Sequence, residues 1–596
     1  MATLLVITVL LPMAGSVALF LSPRLEQKTA RAVALATALA TLAFTLILLL
    51  SFRAGVTSPQ FAFGPESGPY GLSWMTRPDV RFALGLDGIS VCLFGLTSLL
   101  MITAIFSSWE SITDRPAMHY AFLLALQTGL LGLFSSLDVV LFYIFFEFTL
   151  IPLFFLIGIW GGPDRRRASI YFFLYTLAGS LLTLLGVIAL VVVHSRAKGV
   201  LTFSIPELTA GLASIGGSWA QNAPWSASPQ VLIFLLLFAG FAIKVPMFPF
   251  HTWLPLAHTE APTAGSILLA GVLLKVGSYG MLRFNLGMTP VGARALFPLL
   301  AALAVVGIIY GALAALAQTD VKKLIAYSSV SHMGFIVLGL FSMNATGLDG
   351  ATIQMVNHGL TTGALFACVG IIYERYHTRE MAEMSGLWDR LPLFAFFFIL
   401  ASLGSAALPG LNGFVGEFPI LAGMFARSPR AAAVASVGMI LGAYYLLWML
   451  QRVVFGPLRE PHTHGHGHGQ TAGGLGGEPT RHAEADPDRG GVRPIGWHEI
   501  AGLTPLMVLI VLIGVYPRPL FDRIRPAIAP IAARFQALDA EAELATRVAL
   551  RRGPAAVCDA PLAKLRPGRV VRLSTAAKSS TLADGPLTQA ATKGRR

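Results

Sequence analysis

Six ionisable residues stand inside apolar stretches of this chain. They are Glu147 in DVVLFYIFFEFTLIP, Lys244 in GFAIKVPMFP, Lys275 in GVLLKVGSYG, His332 in YSSVSHMGF, His358 in QMVNHGLTTG and Glu417 in LPGLNGFVGEF. A lysine near the middle of an apolar span costs roughly 2.5 to 3.5 kcal/mol on insertion-based scales, so packing alone does not account for so many charges. All six can exchange protons. Burial disfavours the charged form of lysine and carboxylate, and imidazole titrates near neutrality without help. A Glu147 beside Lys244 or Lys275 stays ionised, and such a pair titrates as one coupled unit. The plainer readings are a static ion pair at Glu147, a snorkelling lysine at Lys244 or Lys275, satisfied core histidines, and a structural carboxylate at Glu417. Ser328, Ser329, Ser331, Asn357, Thr361 and Thr362 surround the two histidines and are expected to hold water between them. The expected chemistry is ion translocation through a proton relay.

Such residues need helices that can afford irregular backbone. From Phe238 to Phe284 an apolar run is broken by Pro246, Pro249, Pro255 and Pro262, with His251 among them. A broken transmembrane helix frees backbone groups, which is tolerated only beside protein or a polar cavity, and such breaks often mark ion paths. Apolar runs of roughly 18 to 25 residues predict about fourteen spans and an all-α polytopic membrane protein. Span five covers Val139 to Trp160, span seven Gln230 to Phe248, span eight Thr263 to Phe284, and span twelve Pro392 to Met424. Spans seven and twelve are both interrupted by Gly or Pro, and each carries one ionisable group. That positional match points to two related halves.

Composition agrees. The 596 residues are 55% hydrophobic and 12% charged, about half the charge of a soluble domain. The net charge of +13 sits mainly in short loops and at the C-terminus, without a nucleic-acid module, so no nucleic acid is expected as partner; the bilayer is. Cys92, Cys368 and Cys558 have no CxxC or CxxH spacing, which excludes an iron–sulfur or zinc site of that kind, and no phosphate-binding glycine motif occurs. The first residues, MATLLVITVLLPMAGSVALFL, lack a basic leader and read as the first span. Basic clusters at Arg24/Lys28/Arg31, Arg165–Arg167, Lys322/Lys323 and Arg375/Arg379 share one side, predicted cytoplasmic, with both termini on the outer side of a bacterial inner membrane. Arg518, Arg523 and Arg525, next to span fourteen, run against that orientation. The HTHGHGHG tract, His462 to His468, reads as a solvated loop rather than a metal site. The tail is expected to be a loosely ordered extension with one helix, Ile531 to Arg552.

Lys244 to Phe284, together with VKKLIAYSSVSHMGF, IQMVNHGLTTGALF and LPGLNGFVGEF, resembles the antiporter-like chain M family of proton-pumping NADH–quinone oxidoreductase, respiratory complex I. The resemblance covers roughly spans three to thirteen. It implies a fourteen-helix core with two inverted five-helix repeats and discontinuous helices seven and twelve. It also implies a coupled Glu147–Lys244 pair, a central Lys275, connecting His332 and His358, and a terminal Glu417, the last distinguishing chain M from sister chains L and N. The implied division is 1–115 N-terminal helices, 116–290 and 291–456 the two repeats, 457–497 a His/Gly-rich cytoplasmic loop, 498–521 the last span and 522–596 a basic tail. NADH, FMN, iron–sulfur clusters and quinone are expected in partner subunits and no cofactor here; the chain would be a non-redox subunit of that enzyme. Leu256 stands where the family has aspartate, and LNGF where it has a TGNF-like turn. Alternatives are a subunit of a Mrp-type Na⁺/H⁺ antiporter or membrane-bound hydrogenase, and a non-pumping spacer.

Overall fold

The computed structural model describes residues 1–64, 70–215, 228–461 and 492–552. The His-rich tract and the tail beyond Arg552 therefore lie outside the described residues. Two long apolar helices, α1 (Ala2–Leu21) and α2 (Gln27–Ser51), precede a small antiparallel hairpin of β1 (Leu72–Thr76) and β2 (Asp79–Phe82). Then come α3 (Ser90–Ser107), α4 (Pro116–Ser135), α5 (Val139–Phe148), α6 (Leu150–Trp160), α7 (Arg165–Lys198), α8 (Ile205–Ile215), α9 (Pro229–Lys244) and α10 (Trp253–Glu260). One helical stretch, Thr263–Leu286, is built of α11 (Thr263–Leu268), a π turn (Leu269–Leu273), α12 (Leu274–Gly280) and a second π turn (Met281–Leu286). The rest are α13 (Pro290–Ala295), α14 (Phe297–Leu316), α15 (Val321–Leu340), α16 (Ala345–Tyr376), α17 (Leu387–Arg390), α18 (Pro392–Ser405), α19 (Asn412–Arg427), α20 (Pro429–Val453), α21 (Trp497–Val515) and α22 (Arg518–Arg552).

Twelve helices among the described residues are long and apolar enough to cross a membrane. Burial sorts them. The most apolar windows of Thr263–Leu286 and α16 are wholly inside the protein, whereas those of α1 and α2 are mostly on its outside. The two central helices carry Lys275 and His358, and α3 and α15 pack against both. Such closeness needs small residues: at Gly359 of α16 a Cβ would lie 2.6 Å from the carbonyl oxygen of Gly271.

Helix starts follow the sequence. The Asp138 carboxylate accepts from Val140 N–H at 2.8 Å, and that of Asp320 from Lys322 N–H at 2.7 Å. The Asn344 side chain accepts from Gly347 N–H at 3.0 Å. Each cap satisfies amides that have no partner inside the helix.

Span twelve, expected to be interrupted, is built of two helices, α18 and α19: Ala407 and Gly410 adopt positive φ around Pro409, and a new helix starts at Asn412. Other boundaries differ from expectation. Span five divides at Thr149 into α5 and α6. Between α2 and α3, the strands of the hairpin β1–β2 are too short for a period-two pattern to stand out in the sequence. The C-terminal helix begins at Arg518 rather than Ile531 and runs through Pro526 and Pro530. Its buried Ile524, Ile528, Ala532 and Phe535, spaced at helical intervals, hold the earlier turns against the protein despite two missing amides. Residues 1–539 form one compact unit; beyond it, the described part of the second unit is the exposed end of α22, with a Glu543–Arg547 ion pair.

Candidate functional site

Lys244 is the last residue of α9. The chain then turns through Pro246, at φ 31°, and Pro249 before α10 begins at Trp253. Trp253 Nε1–H donates to the Ile243 carbonyl at 2.9 Å, satisfying one of the oxygens that the helix end leaves open. The Lys244 side chain is 2% exposed, and its Nζ has no hydrogen-bond partner. It sits 4.8 Å from the Phe146 ring centroid, a cation–π contact. Glu147 follows Phe146 on α5, with Oε1 buried and without a hydrogen bond. Glu147 and Lys244 interact through space but are not a contact ion pair.

Lys275 is fully buried, which removes the snorkelling reading. Its Nζ donates to the carbonyl of Ala270, in the π turn, and lies 2.7 Å from His358 Nδ1. The π turn sends the Leu274 amide to Leu269, five residues back, so Lys275 and its acceptor share an irregular turn. His358 Nε2 is buried without a partner. Its ring faces that of His332, with centroids 5.7 Å apart and planes at 49°. His332 Nδ1 lies 2.7 Å from Glu417 Oε1, and the same oxygen accepts from Gln354 Nε2 at 3.1 Å. The other nitrogen of His332 is 3.2 Å from Ser405 Oγ and 3.4 Å from the Tyr445 hydroxyl.

Four of the six predicted residues therefore form one row, Lys275–His358–His332–Glu417, carried by three packed elements and the second half of a broken helix. The expected water-holding hydroxyls behave differently. Ser329, Ser331 and Thr361 donate to the backbone carbonyls of Ile325, Ile308 and Asn357, so they satisfy helices rather than bridge stations. Ser328 meets Tyr445 at 2.7 Å. Asn357 serves the break, giving Nδ2–H to the Asn412 carbonyl at 2.7 Å.

Ser405, Tyr445 and Gln354 were not singled out by sequence, because hydroxyl and amide residues are common in membrane helices and nothing in their spacing marks them. Also missed were His258, stacked on Phe366 at 4.6 Å, and Lys322, which donates to the carbonyls of Thr259 and Ala261. No group of three or more metal-ligating side chains occurs among the described residues, and Cys92 and Cys368 are buried free thiols.

The profile of the family described as NADH:quinone oxidoreductase/Mrp antiporter, TM matches residues 136–442, which hold all six ionisable positions. The chain belongs to that family. The NADH-quinone oxidoreductase subunit M of Rhodobacter capsulatus is 40% identical over 541 residues, 90% of this chain and 98% of its own length. Subunit M of Escherichia coli K12 is 37% identical over 532 residues, 88% and 96% of the two chains. Among solved structures, a chain of respiratory complex I from Thermus thermophilus with bound NADH is 30% identical, with a TM-score of 0.72 over 89% of this chain and 99% of that one. A chain of the Mrp complex from Dietzia shares the fold at 20% identity, TM-score 0.72, covering 89% and 97%. The two subunit M proteins and the complex I chain each match close to nine-tenths of this chain.

Proposed function

We propose that this chain is the antiporter-like M subunit of a NADH–quinone oxidoreductase, moving protons across a bacterial inner membrane while partner subunits oxidise NADH and reduce quinone. The observation that carries the reading is the contact row from Lys275 to Glu417 in a chain so similar to subunit M proteins. On this reading α9 with α10, and α18 with α19, are the discontinuous spans seven and twelve of a fourteen-span core. Residues 116–290 and 291–456 are its inverted halves, and both termini lie outside. Flavin, iron–sulfur clusters and quinone belong to partner subunits, and the sister chains L and N are neighbours in the membrane arm.

The geometry supports a sequence of proton steps. Protonated Lys275 gives a proton to His358 Nδ1, and the resulting imidazolium can release the one on Nε2. Between the two rings, 5.7 Å apart, the proton crosses by a ring rotation or one bridging water. When it arrives on His332 Nε2, the Ser405 and Tyr445 hydroxyls turn away, and the Nδ1 proton passes to Glu417 Oε1. Charge at Glu147 and Lys244 sets the proton affinity of Lys275 from a distance; a change in a neighbouring subunit alters it.

The test is proton pumping by membrane vesicles carrying Lys275→Ala, normalised to quinone reduction and to assembled complex. Pumping and coupled NADH oxidation are expected to fall together with assembly intact. Unchanged protons per electron would mean that the chain is a spacer or that its route avoids this lysine.

A further inference from the structure

Ser328 and His332 stand one turn apart on the same face of α15, and the fully buried Tyr445 of α20 reaches between them. Its hydroxyl is 2.7 Å from Ser328 Oγ and 3.4 Å from His332 Nε2, where Ser405 Oγ also lies, at 3.2 Å. The other ring nitrogen, Nδ1, faces Glu417 Oε1 at 2.7 Å. An ionised carboxylate only accepts, so Nδ1 carries the proton of the neutral ring and Nε2 is an acceptor. The Tyr445 O–H therefore has two acceptors, one on the proton relay and one off it. Among the described residues, the charged and titratable groups facing His332 are Glu417 of α19, His358 of α16 with Lys275 behind it, and Tyr445 itself. From α14, Ile308 and Gly311 meet the neighbouring turns of α15, and His258 of α10 stacks on Phe366 instead.

We infer that Tyr445 is a positioning residue of the relay: it turns its O–H from His332 Nε2 to Ser328 Oγ, offers its oxygen to the Nε2–H that forms when a proton arrives, and so holds the imidazolium until Glu417 takes the Nδ1 proton. The inference rests on the proton-translocation reading and names what the arriving proton meets. Every hydroxyl keeps its own proton. In the first arrangement Tyr445 donates to Nε2 and Ser328 donates to the tyrosine oxygen. In the second, Tyr445 donates to Ser328, and the serine proton turns to the carbonyl four residues back, a bond open to any helical serine. Only two C–O bonds rotate. A hydroxyl with no second acceptor would stay on Nε2 and keep it blocked, which is why the short contact to Ser328 matters. Hydrogen bonds to a charged partner are roughly twice as strong as neutral ones, so Tyr445 favours the imidazolium over the neutral ring. Ser405 touches the same nitrogen, but the effect of Tyr445 runs through a residue of the helix that carries His332.

The experiment measures proton pumping against pH in vesicles supplied with NADH, per assembled complex, for Tyr445→Phe, Ser328→Ala, Ser328→Thr and Tyr445→Phe with Ser328→Ala. Tyr445→Phe keeps the ring and its packing. The pH at which pumping falls to half its maximum is expected to move down by about half a unit to one unit, a threefold to tenfold loss of the proton on His332. Ser328→Ala leaves Tyr445 on Nε2 and should move the profile the same way, and Ser328→Thr should restore it. The double variant should match Tyr445→Phe alone, since Ser328 acts only through the tyrosine. An unchanged profile in Tyr445→Phe or in Ser328→Ala, or shifts that add in the double variant, overturns the inference. Ser328→Ala deletes a single oxygen and carries the test by itself if Tyr445→Phe assembles poorly. Lost pumping in Lys275→Ala beside an unchanged Tyr445→Phe profile removes the positioning role alone, whereas normal pumping in Lys275→Ala removes the translocation reading, so the two failures are distinguishable.

Discussion

Lys244 shows how much a single neighbour can change the reading of a charged residue. Its Nζ has no hydrogen-bond partner and rests 4.8 Å from the ring of Phe146, the residue before Glu147. A desolvated cation–π contact stabilises the ammonium by about 2 kcal/mol. Phe146→Leu keeps most of the volume and removes that attraction, so protons pumped per NADH should fall with assembly unchanged, and Phe146→Tyr should pump normally. Wild-type pumping by Phe146→Leu would show that the ring only fills space. At the other end of the row, Glu417→Gln keeps a hydrogen-bond acceptor for His332 but removes the anion that draws its proton. Pumping should drop by tenfold or more in vesicles that still contain full-length complex.

The elements explain which of these contacts could be foreseen. The six ionisable positions were legible because charge inside an apolar run is rare and costly, and five of the six side chains, all but Glu147, are buried. The breaks after Lys244 and around Pro409 were legible as breaks, because proline and glycine mark them. Distances across helices were not. Nothing in the sequence separates a Glu147–Lys244 ion pair from a Lys244 that rests on the Phe146 ring without touching the carboxylate, since both place the same residues on the same helices. The π turns at Leu269–Leu273 and Met281–Leu286 were also invisible, because they keep the composition of an α-helix while shifting the register in which Lys275 and Arg283 project. What holds these elements close is the glycine seam. Gly359→Leu would push a side chain into the Gly271 carbonyl and the Leu96 side chain. Overpacking of this kind costs about 1 to 3 kcal/mol, so the amount of assembled complex in native gels should fall sharply, with Gly359→Ala between it and wild type.

Across the whole molecule, ion pairs tie the helix ends. Arg375 gives both guanidinium edges to Glu499 of α21 at 2.7 and 2.8 Å, and Arg493 does the same for Glu110. The hydrogen bonds from Arg493 hold the Glu110 carboxyl below its usual range, so its share of stability is present above the unfolded carboxylate value and is lost as pH falls through the lowered one. Glu110 is mostly exposed, and solvent keeps that share small. At the opposite end, α22 reaches back across the helices of the row. Arg525 pairs with Asp349 of α16 at 2.9 Å, and Arg427, the last residue of α19, pairs with Asp539 at 2.6 Å. Arg294 of α13 shares the same carboxylate at 3.3 Å. Asp539 thus joins α13 to the half-helix that carries Glu417. These side chains are 23 to 41% exposed, where each pair contributes at most about 1 kcal/mol, and both arginines lie in the second predicted half, 291–456. Asp539→Ala should therefore lower the melting temperature of the assembled complex by about 2 °C or less, and by less still in 1 M salt. A larger, salt-independent loss would mean that α22 is held there by its apolar face, through Ile528 and Phe535, and not by the shared carboxylate.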